Sequence, residues 1–258
     1  MSHETVEPGQ RAFLARDLGD EERAWRARPP AMLEQLAARW QLALGPELHA
    51  GLLSCTREVV CADGSEAVLK LGAWPRARDE IAALAAWRGR GAPSLIAADV
   101  ELRALLLERV RPGTHVERAD GEAVAEVLGL LHVGPPDGLP SLARIVRRRI
   151  DAAVRGGRAS ARKAAWAQAT VEELERGAPP PVLLHGALDE RNLLVCARRG
   201  LCAIGPLPCA GDPAYDAGYW VHGNRRPGRR ARLDAIVGAT GLPRERVRDW
   251  AAVVGVHG

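Results

Sequence analysis

The sequence predicts an α+β protein in two parts, a small β-rich part followed by a larger and mostly helical one. Three observations carry this. Between residues 51 and 112, short apolar runs alternate with turn sequences at strand-like spacing. From about residue 114, apolar residues recur at a period near 3.6. That helical region is interrupted after Pro179-Pro180-Pro181 by a compact group of short strands.

The first 46 residues read as helical. Residues 11–28 carry alternating charges, and residues 30–43 place Met32, Leu33, Leu36, Leu42 and Leu44 near a helical period with Trp40 on the same side. The stretch "LLSCTREVVCADGSEAVLKLG" then supplies two strand-like runs around Ala62-Asp63-Gly64-Ser65, a hairpin turn sequence. Pro75 opens a helix expected to run to about Arg90, proline being favoured in a first turn. "PSLIAADVELRALLLERVRPG" gives two more strands and closes the small part, so the boundary is placed to give 1–112 and 113–258. In the second part, Val124, Val127, Leu128 and Leu131 define one helix, and "PSLARIVRRRIDAAVRGG" and "ARKAAWAQATVEELERG" two more. "VLLHG" is a buried strand, "NLLVC" and "LCAIG" form a strand pair, and 227–255 is helical again.

Composition removes several function classes. A net charge of +4, from 36 basic and 32 acidic residues, argues against a nucleic-acid binder, and no aromatics interleave with Arg147-Arg148-Arg149 or with the arginines at 225–230. The five cysteines have no CxxC spacing and read as reduced small hydrophobes. No signal peptide and no apolar run of membrane-spanning length is seen, so a cytoplasmic location with no membrane partner is expected. Only two of the basic residues are lysines, Lys70 and Lys163, which makes a lysine at the end of an apolar strand conspicuous.

Lys70 follows Ala67-Val68-Leu69, and a lone ammonium there needs an anion. Glu80, on the same helix face as Leu84 and Trp87, is the candidate partner. The pair is read either as a structural ion pair or as a holder of nucleotide phosphates. In "VLLHGALDERNLLV", a strand ends at His185-Gly186 and Asn192 precedes the next strand. Phosphoryl-transfer loops place an Asp two residues after the His and a metal-binding Asn five later. Here Asn192 is in place, whereas Ala187 stands where the Asp belongs.

With "AVLKLG", "LLLERVRPGT", "VLLHGALDERNLLV" and "LCAIGPLPCAGDPAYDAG", the chain resembles the aminoglycoside phosphotransferase superfamily, in its streptomycin 6-kinase and hydroxyurea phosphotransferase branch, from about residue 10 onward. The resemblance implies a two-lobed protein-kinase-like fold, ATP in the cleft with Mg²⁺, and a small polar or cationic metabolite bearing a hydroxyl. It also implies that Lys70 holds phosphates and pairs with Glu80, that Glu108 sits at the hinge near the adenine, and that Asn192 is a metal ligand. His185 would hold the loop, and Asp212 would support it.

The departures from the family pattern are as specific as the matches. The catalytic Asp is replaced by Ala187 and the metal-binding Asp by Gly205, and the phosphate loop offers only Gly45 and Gly51. Asp189 either replaces the missing base or caps its own loop through backbone amides, and His185 is a second candidate base. Four readings stay open: a degenerate kinase, a rewired kinase using Asp189, a cleft turned to other biosynthetic chemistry, and a non-catalytic module with a protein partner.

Overall fold

The computed structural model describes residues 29–50, 54–72, 77–223 and 228–257. The expectations for residues 11–28 and for Pro75 lie outside these. The chain divides into two compact units. One comprises the chain up to Ile81 together with Leu95–Arg109; the other comprises Ala82–Ser94 and Val110 to the C-terminus.

The first unit is a five-stranded antiparallel sheet. Helix α1 (Pro29–Trp40) leads into β1 (Ala43–Ala50), β2 (Ser54–Val60), β3 (Glu66–Gly72), β4 (Leu95–Asp99) and β5 (Ala104–Glu108), in the order β1-β2-β3-β5-β4. Residues 43–46 were expected to continue the helix; they are strand. Gln41 takes φ 54, and the Leu42 amide donates back to the Ala37 carbonyl at 2.8 Å, which ends the helix there. Period-two alternation then sorts β3. Ala67, Leu69 and Leu71 are buried against Leu33 and Leu36 of α1, and Lys70 falls on the opposite face. Its neighbours in register are Thr56 and Leu105. Helix α2 (Ala77–Trp87) carries Asp79 and Glu80 in its first turn, where the helix dipole favours carboxylates. It ends before the expected Arg90, because Arg88 and Gly89 both adopt positive φ.

The second unit holds β6 (Pro112–His115), α3 (Gly121–Leu131), α4 (Leu142–Arg155), α5 (Ala161–Arg176), β7 (Val182–Leu184), β8 (Leu193–Cys196), β9 (Gly200–Ala203), β10 (Cys209–Gly211), α6 (Ala214–Gly223), α7 (Arg229–Thr240) and α8 (Arg244–His257). The apolar period in α3 buries Val124, Val127, Leu128 and Leu131, and Asp120 caps the helix by accepting from the Ala123 amide at 2.8 Å. Two small sheets, β6-β8-β9 and β10-β7, frame the segment 185–192 between them. Strand β10 and the helix within "PAYDAGYW" were not anticipated. A three-residue strand is too short for periodicity to reveal. No described helix is long and apolar enough to cross a membrane.

Candidate active site

In the first unit, the Lys70 Nζ donates to Glu80 Oε1 at 2.6 Å, with only 14% and 13% of the two side chains exposed. The strand and the helix that carry them are each fixed by packing, so the pair is pre-set rather than assembled from flexible surface groups. Glu108 ends β5 opposite Ala67 and is partly buried.

In the second unit, the segment 185–192 is held by a dense set of bonds. His185 is fully buried and donates from Nε2 to the Ile204 carbonyl at 3.1 Å, its ring stacked 6.4 Å from that of Trp87. Gly186 takes φ 77, and a Cβ there would lie 2.1 Å from the Leu207 carbonyl oxygen; only glycine fits. The amides of His185 and Gly186 donate to the two carboxylate oxygens of Asp216, each at 2.8 Å, and His132 Nε2 lies 3.2 Å from Asp216 Oδ2. Burial pushes Asp216 toward protonation. The His132 bond, the nearby histidines and the Gly186 amide prevail and hold its carboxyl below the usual range.

Support of the loop was expected from Asp212, and this is corrected. Asp212 accepts from the Ala214 amide, from Arg246 Nε and Nη2 at 2.9 and 2.6 Å, and from Trp250 Nε1 at 2.8 Å, which ties it to α8. The second Asp of "GDPAYD", one helical turn further on, holds the loop. A buried pair adds to this: Arg232 Nη1 of α7 donates to Glu190 Oε1 at 2.5 Å while the guanidinium lies 3.8 Å over the Trp220 ring. Nothing in the sequence flagged Arg232, which sits 42 residues from its partner.

The chemistry-bearing positions are then as follows. Ala187 presents a buried methyl group. Asp189 is 2% exposed, and both of its oxygens are engaged. Oδ1 accepts the Arg191 amide at 3.0 Å, and Oδ2 accepts Arg191 Nε and Nη2 at 3.0 and 2.5 Å. It is the N-cap of the 3₁₀ turn Glu190–Asn192. Asn192 donates from Nδ2 to the Ala187 carbonyl at 2.7 Å, and its Oδ1 lies 3.3 Å from where a Cβ on Gly205 would stand. Gly205 itself adopts φ 62. No group of three or more His, Cys, Asp or Glu side chains among the described residues is placed to hold a metal ion. Mg²⁺ prefers carboxylate oxygens, and with Gly205 lacking one and Asp189 spent on Arg191, the residues present do not fit it.

A β-rich unit bearing a Lys–Glu pair and a helical unit bearing a His-Gly loop define a kinase-like phosphotransferase fold. Residues 39–258 match the family described as aminoglycoside/hydroxyurea antibiotic resistance kinase, and the chain belongs to that family. It is 36% identical over 242 residues to a hydroxyurea phosphotransferase of Kitasatospora aureofaciens, covering 86% of this chain and 69% of that protein. It is 33% identical to a streptomycin 6-kinase of Streptomyces glaucescens, covering 93% and 84%. Among solved structures, macrolide 2'-phosphotransferase type I is similar in fold, with a TM-score of 0.63 at 19% identity over 88% of this chain and 89% of that one. A choline/ethanolamine kinase family protein from Mesorhizobium loti gives 0.63 at 17% identity over 87% and 83%.

Proposed function

We propose that this chain is a degenerate member of its family that binds a nucleotide and a small hydroxyl-bearing metabolite but transfers phosphate poorly or not at all. The observation that carries this is the pairing of Ala187 with Asp189. The first has no proton acceptor, and the second, the nearest carboxylate two residues on, has both oxygens committed to Arg191. General-base help is worth roughly 10²–10⁴-fold, and charge neutralisation by a metal several kcal/mol more. Losing both leaves turnover near background. Lys70, Glu80 and Glu108 are assigned to the nucleotide, with the Lys70 ammonium meeting its phosphates. Asn192 fixes the loop through the Ala187 carbonyl rather than a metal. His185 keeps its strand end in place through Ile204, and its buried ring is not assigned as the base. The reading is supported by a solved structure of similar fold, an aminoglycoside phosphotransferase variant at TM-score 0.59 and 14% identity, which holds ADP and hygromycin B together.

The test is calorimetric titration with ATP, with and without Mg²⁺, followed by a search for ADP release across acceptor candidates. Binding that changes little with Mg²⁺, and no acceptor-dependent ADP, is the expected result. Absence of binding in both conditions would sink the nucleotide assignment. Acceptor-dependent ADP release that Asp189→Asn abolishes would replace this reading with a working kinase whose Asp189 leaves Arg191 during turnover. The double variant Ala187→Asp/Gly205→Asp is expected to gain ATP consumption if the rest of the scaffold is intact.

A further inference from the structure

Arg149, on α4, is a cation with no anion. Its Nη1 donates to the Gly186 carbonyl at 3.2 Å and to the Tyr215 hydroxyl at 2.8 Å, both neutral acceptors. No carboxylate among the described residues forms an ion pair with it. The nearby carboxylates are otherwise engaged: Asp216 with the His185 and Gly186 amides, Asp189 with Arg191. The titratable groups that face the guanidinium from α6, β10 and α8 are Tyr215, Tyr219, Cys209 and His257. Burial and the Arg149 charge keep His257 neutral, with its pKa pushed down to about 3, and burial keeps both tyrosines protonated.

A guanidinium has five N–H donors, and here only Nη1 is used. The Nε and Nη2 groups bond to no described residue, yet they are not sealed off, and the residue is partly exposed. A part-buried charge without a counter-charge costs stability unless something offsets it. The unused edge of a guanidinium is a planar fork that matches a carboxylate or phosphate in bidentate fashion. Its other edge is bolted to Gly186, next to the position where the phosphoryl-transfer loop has lost its carboxylate.

We propose that Arg149 forms a subsite for an oxyanion group, a carboxylate or a phosphate monoester, on the small molecule bound by this chain. The inference rests on the reading that segment 185–192 faces a ligand, and it makes that ligand anionic rather than a polycationic aminoglycoside. Removing Asp at position 187 then has a second consequence: it takes away the negative charge that would repel such a ligand beside Arg149.

The probes are inorganic phosphate and malonate, titrated into the full chain. Binding is followed by calorimetry and by the nitrogen-15 signal of the Arg149 Nε–H group, assigned by its loss in Arg149→Lys. The wild type is expected to bind both anions, with that Nε–H signal shifting on titration. Arg149→Met is expected to weaken binding about tenfold or more, the worth of one charge-assisted bidentate pair. Should Arg149→Met fail to fold, Arg149→Lys keeps the charge without the fork and is expected to weaken malonate binding by about threefold. Repeating the titration with ATP present separates the sources: competition assigns the subsite to a nucleotide phosphate, and undisturbed binding assigns it to a second ligand. An Nε–H signal that stays put, or anion binding equal in wild type and both variants, overturns the subsite. ATP binding without anion binding overturns this inference alone; anion binding without ATP binding overturns the nucleotide assignment and leaves the subsite standing.

Discussion

Replacing Asp216 by Ala is expected to loosen the loop that carries His185 and Ala187 and to lower global stability. The carboxylate has no exposed surface and accepts the His185 and Gly186 amides at 2.8 Å each. Truncation leaves both donors buried with no acceptor, and an unsatisfied buried donor costs roughly 1–3 kcal/mol. His132, 3.2 Å away, loses its partner as well. The expected loss is therefore about 4 kcal/mol, which for a chain of this size lowers Tm by about 8–16 °C. Chemical denaturation followed by tryptophan fluorescence reads it directly, since Trp87 stacks on His185 and Trp220 lies in the helix that carries Asp216. Asp216→Asn is expected to cost less than Ala, because one acceptor oxygen remains, though its amide then opposes a backbone N–H. A loss below about 1 kcal/mol for the alanine variant would refute the assignment of loop support to Asp216.

Four further outcomes are expected. Gly186→Ala forces a side chain into φ 77 and against the Leu207 carbonyl, costing about 1–2 kcal/mol for the backbone alone with the clash added, and is read as loss of soluble folded protein. Gly205→Asp alone is expected to cost only about 1 kcal/mol in urea denaturation, because Asp tolerates the left-handed region and its Cβ meets nothing closer than Asn192 Oδ1 at 3.3 Å. Arg246→Ala removes the charged partner of Asp212, leaving the Ala214 amide and Trp250 Nε1, and is expected to cost roughly 2–3 kcal/mol, seen as early melting of α8 by hydrogen exchange. His257 is buried and held neutral with its pKa near 3, so as pH falls below about 6.5 the unfolded chain takes up a proton that the folded chain refuses; this group should lower stability by up to about 1.4 kcal/mol per pH unit, and His257→Phe is expected to make the acid-side slope shallower by that amount, leaving the share of His222, which burial and Arg229 also depress.

The strands and helices that carry large apolar residues were legible because their periods survive any reading: β3 alternates Ala67, Leu69 and Leu71 against Lys70, and α3 repeats at 3.6. The failures have local causes. Residues 43–46 lost their helix to one backbone angle at Gln41, and β10 is three residues held by pairing with β7 and by the Ala210 amide donating to the Pro140 carbonyl at 3.0 Å. Neither leaves a mark in hydrophobic pattern. The division of the chain follows contacts rather than order, so Ala82–Ser94 joins the second unit although it lies between two pieces of the first.

The site divides in the same way. Lys70 and Glu80 were readable together because an apolar strand exposes a lysine and the next helix offers one carboxylate on its apolar face, and they lie 2.6 Å apart. The sequence made Asp189 ambiguous, since a short carboxylate after a turn caps a loop as readily as it accepts a proton. The bonds from Arg191 favour the cap, but that depends on a neighbour two residues along, whose side chain the sequence does not orient. Asp216, Arg232 and Arg149 are harder still, because each acts over 30 or more residues of separation. What a local motif encodes is which positions carry no carboxylate, here Ala187 and Gly205. What it cannot encode is how the loop is held: Asp216 bonds to the His185 and Gly186 amides, Arg232 to Glu190 and Asn192 to the backbone carbonyl of Ala187, so none of these bonds needs a particular side chain at position 187. On the proposed reading, such a scaffold loses its base in one substitution and keeps its ligand site, and the proposed Arg149 subsite is where a changed ligand preference would then be read.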